Sequence, residues 1–244
     1  MCTAITFSSN DHYFGRNLDF EHDFGECIVI TPRNFPLPYR YKKTNNHHYA
    51  MIGMALVENE YPLYFDATNE YGLSMAGLYF PGNAVYLPYK ENTSNITPFE
   101  FIPWILSQCK NICQARILLR DLNLGDSSFN SQYPLSPLHW IIADKTTAIT
   151  VEPTKNGIKI YDNPIGVLTN NPPFDFHMHN LVNYMNLTSN EPSNQFAPKY
   201  SITPYSRGMG AIGLPGDLSS ASRFVRAAFV KLNSVCNGTE NASV

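Results

Sequence analysis

The chain has 244 residues, 43% of them hydrophobic, and a formal net charge of -3. This length and apolar content suit one large domain spanning 1-244, and the mild negative charge excludes the basic footprint of a nucleic-acid binder. No apolar run reaches about 18 residues and no basic-then-apolar leader opens the chain, so a soluble cytoplasmic protein without a membrane span is expected.

The first stretch, Met1-Cys2-Thr3-Ala4-Ile5-Thr6-Phe7, alternates like a strand. If Met1 is removed, Cys2 carries both a thiol and a free α-amine, a nucleophile and a base on one residue. The plainer reading is a small apolar cysteine at the start of a core strand. Ser8-Ser9-Asn10-Asp11 supplies turn residues, and His12 to Asp19 leads back as the second arm of a hairpin. That hairpin could bring Arg16, a cation that stabilises a thiolate, and Asp19, an acceptor for the α-amine, beside Cys2. An ordinary surface ion pair between Arg16 and Asp19 explains the same residues.

Cys27 to Thr31 reads as a strand closed by Pro32, followed by a polar, proline-rich loop from Asn34 to His48. Within that loop His47-His48 reads as solvated rather than metal-binding. Strands are expected at 49-57, 63-67 and 73-80. From Pro98 to Leu122 the period becomes helical, with Thr97 and Glu100 at capping-box spacing and Pro103 placed to kink or delay the first helix. Further strands follow at 138-143, 148-152, 158-161 and 167-169. A short helix spans 174-185 and a loop rich in Asn, Ser and Pro spans 186-207. Gly208-Met209-Gly210-Ala211-Ile212-Gly213 matches GxGxxG literally, but it lacks a preceding apolar strand and reads as a glycine-rich loop. The last helix, about 220-235, is expected to turn Phe224, Ala227, Ala228 and Leu232 toward one face. The cysteines, Cys2, Cys27, Cys109, Cys113 and Cys236, are odd in number and irregularly spaced, which argues against a disulfide framework. Cys109 and Cys113, one helical turn apart, read as core or near-core thiols, and no metal site is assigned.

Several stretches, in order along nearly the whole chain, resemble the choloylglycine hydrolase family, which contains bile salt hydrolases and penicillin V acylases. They are Met1-Cys2-Thr3, Phe14-Gly15-Arg16-Asn17-Leu18-Asp19, Thr31-Pro32-Arg33-Asn34, Asn69-Glu70-Tyr71-Gly72-Leu73 and Ala76-Gly77-Leu78. Leu138-His139-Trp140, Gly166-Val167-Leu168-Thr169-Asn170-Asn171-Pro172, Gly213-Leu214-Pro215-Gly216-Asp217 and Ser222-Arg223-Phe224-Val225 complete the set.

The resemblance implies an α+β fold, the four-layer αββα sandwich of N-terminal nucleophile hydrolases. It implies cleavage of a glycine- or taurine-conjugated bile salt through a thioester on Cys2, with neither metal nor organic cofactor. Arg16 would polarise the thiol and Asp19 would orient the amine. Asn170 and the backbone N–H of Tyr79 would bind the oxyanion, and Arg223 would lie near the thiolate. Leu18, Phe20, Phe24, Tyr61 and Phe65 are candidates for an apolar substrate wall, with ordinary core as the alternative for any of them. By the same likeness the protein would be a homotetramer, with 186-207 helping to assemble it.

Two departures qualify this picture. Tyr79 stands where bile salt hydrolases usually carry Asn and penicillin V acylases often carry Tyr, so penicillin V is the alternative substrate. Family chains also usually continue beyond this C-terminus, so missing C-terminal strands are expected to leave sheet edges and apolar core exposed. A catalytically weak remnant or a truncated ligand-binding module is therefore the reading of a different class.

Overall fold

Alternation at the N-terminus produces strand β1 (Thr3–Ser8), which turns through Ser9, Asn10 and Asp11 into β2 (His12–Asn17). Their antiparallel register sets Thr3 against Asn17 and Ala4 against Arg16. Cys2, Ala4 and Thr6 form the buried face, as the two-residue period requires. The other edge of β1 pairs with β12 (Val167–Leu168), giving a three-stranded sheet ordered β12-β1-β2. Gly166 permits that approach. Its φ is 65°, its carbonyl accepts from Thr6 N at 2.8 Å, and a Cβ there would meet Thr6 Oγ1 at 2.2 Å.

The computed structural model describes residues 1–21 and 23–235. Cys236 and the residues after it therefore lie outside the described residues. A seven-stranded antiparallel sheet runs through the middle. Its strands are β3 (Cys27–Thr31), β4 (Met51–Glu58), β5 (Tyr61–Asn69), β6 (Ser74–Tyr79), β9 (Leu138–Ala143), β10 (Ala148–Thr154) and β11 (Gly157–Asp162). In space the order is β11-β10-β9-β6-β5-β4-β3. A short parallel pair, β7 (Ser94–Ile96) and β8 (Leu122–Leu124), brackets the first two helices.

The helical stretch after Pro98 forms as one 3-10 turn and two helices, α1 (Phe101–Leu106) and α2 (Ile112–Leu119). Glu100 accepts from Thr97 N at 2.9 Å, as the capping-box spacing predicts. Pro103 sits in the first turn of α1, where a missing N–H costs little. Asn69 Nδ2 closes the far end of α1 by donating to the carbonyls of Leu106 and Cys109. These helices bury Phe101, Trp104, Ile105 and Cys109 against Tyr64, Met75 and Trp140 on the outer face of the large sheet.

The inner face contributes Ala76, Leu78, Ile141 and Ala143 to a second buried cluster with Cys2, Ala4, Val167 and Leu168. Phe174 from α3 (Phe174–Asn180) and Phe224 from α4 (Ser220–Asn233) close this cluster from the opposite side. The layers therefore run α, β, β, α. Among the described residues no helix is long and apolar enough to cross a membrane.

Three local expectations need correction. Leu232 is 58% exposed, because α4 turns Phe224, Val225 and Ala228 inward. One turn on, the Lys231 ammonium reaches Ile165 O and Thr6 Oγ1. Cys109 is core, but Cys113 is exposed. His48 is buried between the carbonyls of Tyr49 and Phe35 rather than solvated, while His47 is exposed and bonds Asn34. At the edge of the large sheet, Ile28 and Ile30 in β3 and Ile52 in β4 share one exposed apolar face.

Asp144, at the β9–β10 turn, ties the sheet to α2 by accepting from Ile112 N at 2.9 Å and from Thr146 N and Oγ1 and Thr147 N. Burial opposes its charge, but these bonds outweigh that cost and hold its pKa below the usual carboxylate value. Asp144→Ala is expected to cost about 2 kcal/mol at neutral pH. A depressed carboxylate stabilises above its unfolded pKa of about 4 and loses that contribution as pH falls through the folded value. Denaturation across pH should show the gap between wild type and variant closing below about pH 4; a constant gap contradicts the assignment.

Candidate active site

Each side chain around Cys2 is placed by a different layer. Cys2 precedes β1 and is 2% exposed. Its N–H donates to Asn170 Oδ1 at 3.0 Å. Asn170 follows β12, the strand paired with β1, so strand pairing carries residue 170 to the chain's beginning. Arg223, in the first turn of α4, donates to the Cys2 carbonyl, to Thr3 Oγ1 at 2.8 Å and to Asn170 Oδ1 at 2.7 Å. Two donors on Oδ1 fix the amide's orientation and send Nδ2 to the Tyr79 carbonyl at 2.7 Å.

Cys2, Asn170, Arg223 and Tyr79 are thus linked through hydrogen bonds. The contact shown at Tyr79 is its carbonyl, not the N–H proposed as an oxyanion donor, and its side chain is half exposed. Burial lowers the Arg223 pKa from the ordinary arginine value, opposed by the charges of Cys2 and Asp19. An arginine starts so high that it stays cationic.

Arg16 lies opposite Ala4, on the face that carries Cys2. Its guanidinium does not pair with Asp19. It donates to Gly77 O at 2.9 Å and to Asp66 at 3.3 Å, which offsets the cost of burying a cation. Asp19 holds the α-ammonium of Met1, with Oδ2 at 2.9 Å, rather than an amine on Cys2, because Met1 still carries the terminal charge. Asn17, which the sequence did not mark, accepts from Thr3 N at 2.6 Å and donates to Met1 O at 3.2 Å. Its place opposite Thr3 follows from the hairpin register, which was the signal available.

The candidate substrate wall divides. Phe20 packs on Phe24 and Phe65 with centroids 5.2 and 5.3 Å away, and Leu18 is partly buried nearby in sequence. Phe65 is the extra residue of a bulge, because Met54 pairs with Asp66 and Ala55 with Tyr64. Tyr61 stands apart, roughly 13 Å along the strand. It is buried against Phe99 and Phe129, and desolvation followed by the Glu100 charge raises its phenol well above the ordinary value. Tyr61 is buried as core and does not join the Phe20–Phe24–Phe65 group. A cavity of about 700 Å³ lined by Thr6, His12, Asp144 and Lys231 contains none of the candidate site residues.

No group of three metal-ligating side chains occurs among the described residues. The arrangement joins one buried thiol, a backbone nitrogen held by an amide oxygen, and the Arg223 guanidinium, while Arg16 is held apart on Asp66 and Gly77. Those groups suit nucleophilic attack on a carbonyl with the developing charge held nearby.

Comparison with known proteins follows this geometry. A family model described as linear amide C–N hydrolases, choloylglycine hydrolase family, matches residues 2–244. The chain is 53% identical to a bile salt hydrolase/transferase of Lactiplantibacillus plantarum, over 100% of this chain and 75% of that protein. It is 40% identical to a conjugated bile acid hydrolase of Lactobacillus gasseri, over 100% of this chain and 78% of that protein. A crystal structure of a variant conjugated bile acid hydrolase from Clostridium perfringens superposes with a TM-score of 0.87 at 37% identity, covering 94% of this chain and 72% of that one. A penicillin V acylase from Agrobacterium tumefaciens shares the fold at a TM-score of 0.63 and 16% identity, covering 100% of this chain and 75% of that one.

The two aromatic environments make separate predictions. Tyr61→Ala should lose about 3–5 kcal/mol in chemical denaturation, as for a large core side chain. Phe24→Ala, at a half-exposed position, should lose about 1 kcal/mol or less. Equal losses would refute the division between core and wall.

Proposed function

This chain belongs to the choloylglycine hydrolase family of linear amide C–N hydrolases, and we propose that its substrate is a glycine- or taurine-conjugated bile salt. The observation that carries the proposal is the hydrogen-bonded convergence of Cys2, Asn170 and Arg223 at the start of β1.

Removal of Met1 would turn the Cys2 nitrogen into an α-amine while leaving it beside Asn170 Oδ1. Asp19, freed from Met1, would orient that amine, and Arg16 and Arg223 would supply positive charge around the sulfur. The Cys2 Sγ attacks the amide carbonyl as its proton passes to the α-amine. The Asn170 side-chain amide leaves the Tyr79 carbonyl for the oxyanion, with Tyr79 N–H as the second donor. Collapse breaks the C–N bond, and the amine's proton goes to the departing glycine or taurine nitrogen. Water then attacks the thioester, releases the acid and restores the thiol. An acceptor amine in place of water would give acyl transfer; the name of the Lactiplantibacillus plantarum relative includes the word transferase.

Phe20, Phe24 and Phe65, with Leu18, would meet the apolar body of the substrate. Tyr79, the residue type that penicillin V acylases often carry at this position, keeps penicillin V as the second reading, and its side chain is half exposed. We place the enzyme in the cytoplasm as a homotetramer, with the irregular segment 186–207 and its exposed Phe196, Tyr200 and Tyr205 in the contact between copies.

The purified protein should have a mass lacking one methionine and should release glycine or taurine from glycocholate or taurocholate faster than it cleaves the side-chain amide of penicillin V. Cys2→Ser should remain folded and lose nearly all turnover. Asn170→Ala should lower kcat by about a hundredfold or more, the usual cost of one oxyanion donor. Wild-type turnover in Cys2→Ser rejects the mechanism, and faster penicillin V cleavage replaces the substrate.

A further inference from the structure

Behind Asn170 lies a set of buried ionisable side chains that the chemistry above leaves unused. His139 in β9, Glu152 in β10 and His177 in α3 are each 0% exposed. Desolvating such groups is costly unless each finds a partner, and apolar residues of similar volume would fill the same space without that cost.

Their bonds converge on one short segment. His139 Nε2 lies 2.9 Å from the Thr169 carbonyl oxygen, and His177 Nε2 lies 2.9 Å from the Asn170 carbonyl oxygen. A carbonyl oxygen only accepts, so each Nε2 bears a proton and donates it. Behind His139, Nδ1 is 3.1 Å from Glu152 Oε1, which also accepts from Phe174 N at 2.9 Å in the first turn of α3. Both rings are held in plane: His139 is stacked on Phe80 at 4.2 Å, and His177 on Phe224 at 4.9 Å. Burial lowers the pKa of His177, which keeps it neutral. From the other side, Asn170 N donates to Ser220 Oγ at 2.8 Å.

We propose that His139 and His177 are positioning residues, which clamp the consecutive carbonyls of Thr169 and Asn170 and so aim the Asn170 side-chain amide at the reacting carbonyl. This rests on the role given to Asn170 above. His177 fixes the peptide plane of residue 170 itself, and His139 fixes the plane before it. An amide that must swing from Tyr79 O to an oxyanion keeps its bearing only if its own backbone cannot rotate. Supporting residues hold reacting groups to within about 0.5 Å by such bonds.

The test uses the Phe and Gln variants of each histidine, assayed with glycocholate. Phe keeps the ring and its stacking but removes the donor, whereas the Gln amide nitrogen reaches close to the place of Nε2. His177→Phe and His139→Phe should lower kcat by about ten- to a hundredfold with KM little changed, the scale expected for a displaced reacting group. Alkylation of Cys2 by iodoacetamide, which needs no oxyanion donor, should remain within about twofold of wild type. His177→Gln and His139→Gln should recover most of kcat, and such a rescue is not expected of a purely space-filling role. Wild-type kcat in folded Phe variants, or equal losses in the Gln and Phe variants, overturns the proposal.

If the Phe variants do not fold, His177→Asn, whose amide falls one bond short, replaces them, and equal kcat in Asn and Gln variants overturns it. The ¹⁵N resonance of the Asn170 side-chain amide, identified by its loss in Asn170→Ala, gives a readout independent of turnover. It should shift when the donor is removed and return in the Gln variants; an unmoved resonance overturns the proposal. If wild type does not turn over glycocholate yet the resonance shifts and returns, the substrate reading fails while the clamp stands.

Discussion

The Arg223 guanidinium ties the start of β1 to the rest of the structure. It bonds the carbonyl of residue 2, the hydroxyl of residue 3 and the side chain of residue 170, so three distant parts of the chain meet on one cation. These contacts close a loop of more than two hundred residues, and the entropy of closing it is recovered only when the layers pack together. The central strand β1 therefore has β12 and β2 on its flanks, the large sheet on one face and α4 on the other. Without Arg223 the start of β1 would lose its tether to α4, and Asn170 would lose a donor that fixes its orientation.

The second guanidinium solves a different problem. Arg16 is almost completely buried, and a buried cation needs an anion and a carbonyl within reach. Asp66 and Gly77 supply them from β5 and β6 of the facing sheet. The same ion pair therefore joins the two sheets. The bulge at Phe65 precedes Asp66 and resets which face of β5 each following side chain occupies. Packing, charge compensation and the aromatic wall thus depend on a few consecutive residues.

The sequence made the elements legible because most follow simple periods. Alternation marked β1, and the capping spacing of Thr97 and Glu100 marked the first helical turn. The αββα arrangement came from the ordered family motifs, since periodicity does not say which sheets face each other. The misses share a physical cause: each concerns a side chain whose fate depends on a nonlocal partner. Leu232 follows helical spacing, but Lys231 takes the inward place because Ile165 O and Thr6 Oγ1 await it. Tyr61 resembles Phe65 in composition, but a bulge and the Phe99–Phe129 cluster separate their environments.

The exposed isoleucines at the edge of the large sheet bear on how the protein behaves at the bench. Among the described residues β3 is the end strand of the large sheet, beside the exposed Ile28 and Ile30, and an end strand is where a second molecule could register edge to edge. Cys27, exposed on the same strand, then lies where an oxidised preparation can lock such a pair covalently. Apolar contact weakens on cooling and strengthens with sulfate or phosphate salts. Cold, reduced, low-salt handling is therefore expected to disfavour such pairing, and ammonium sulfate to favour it.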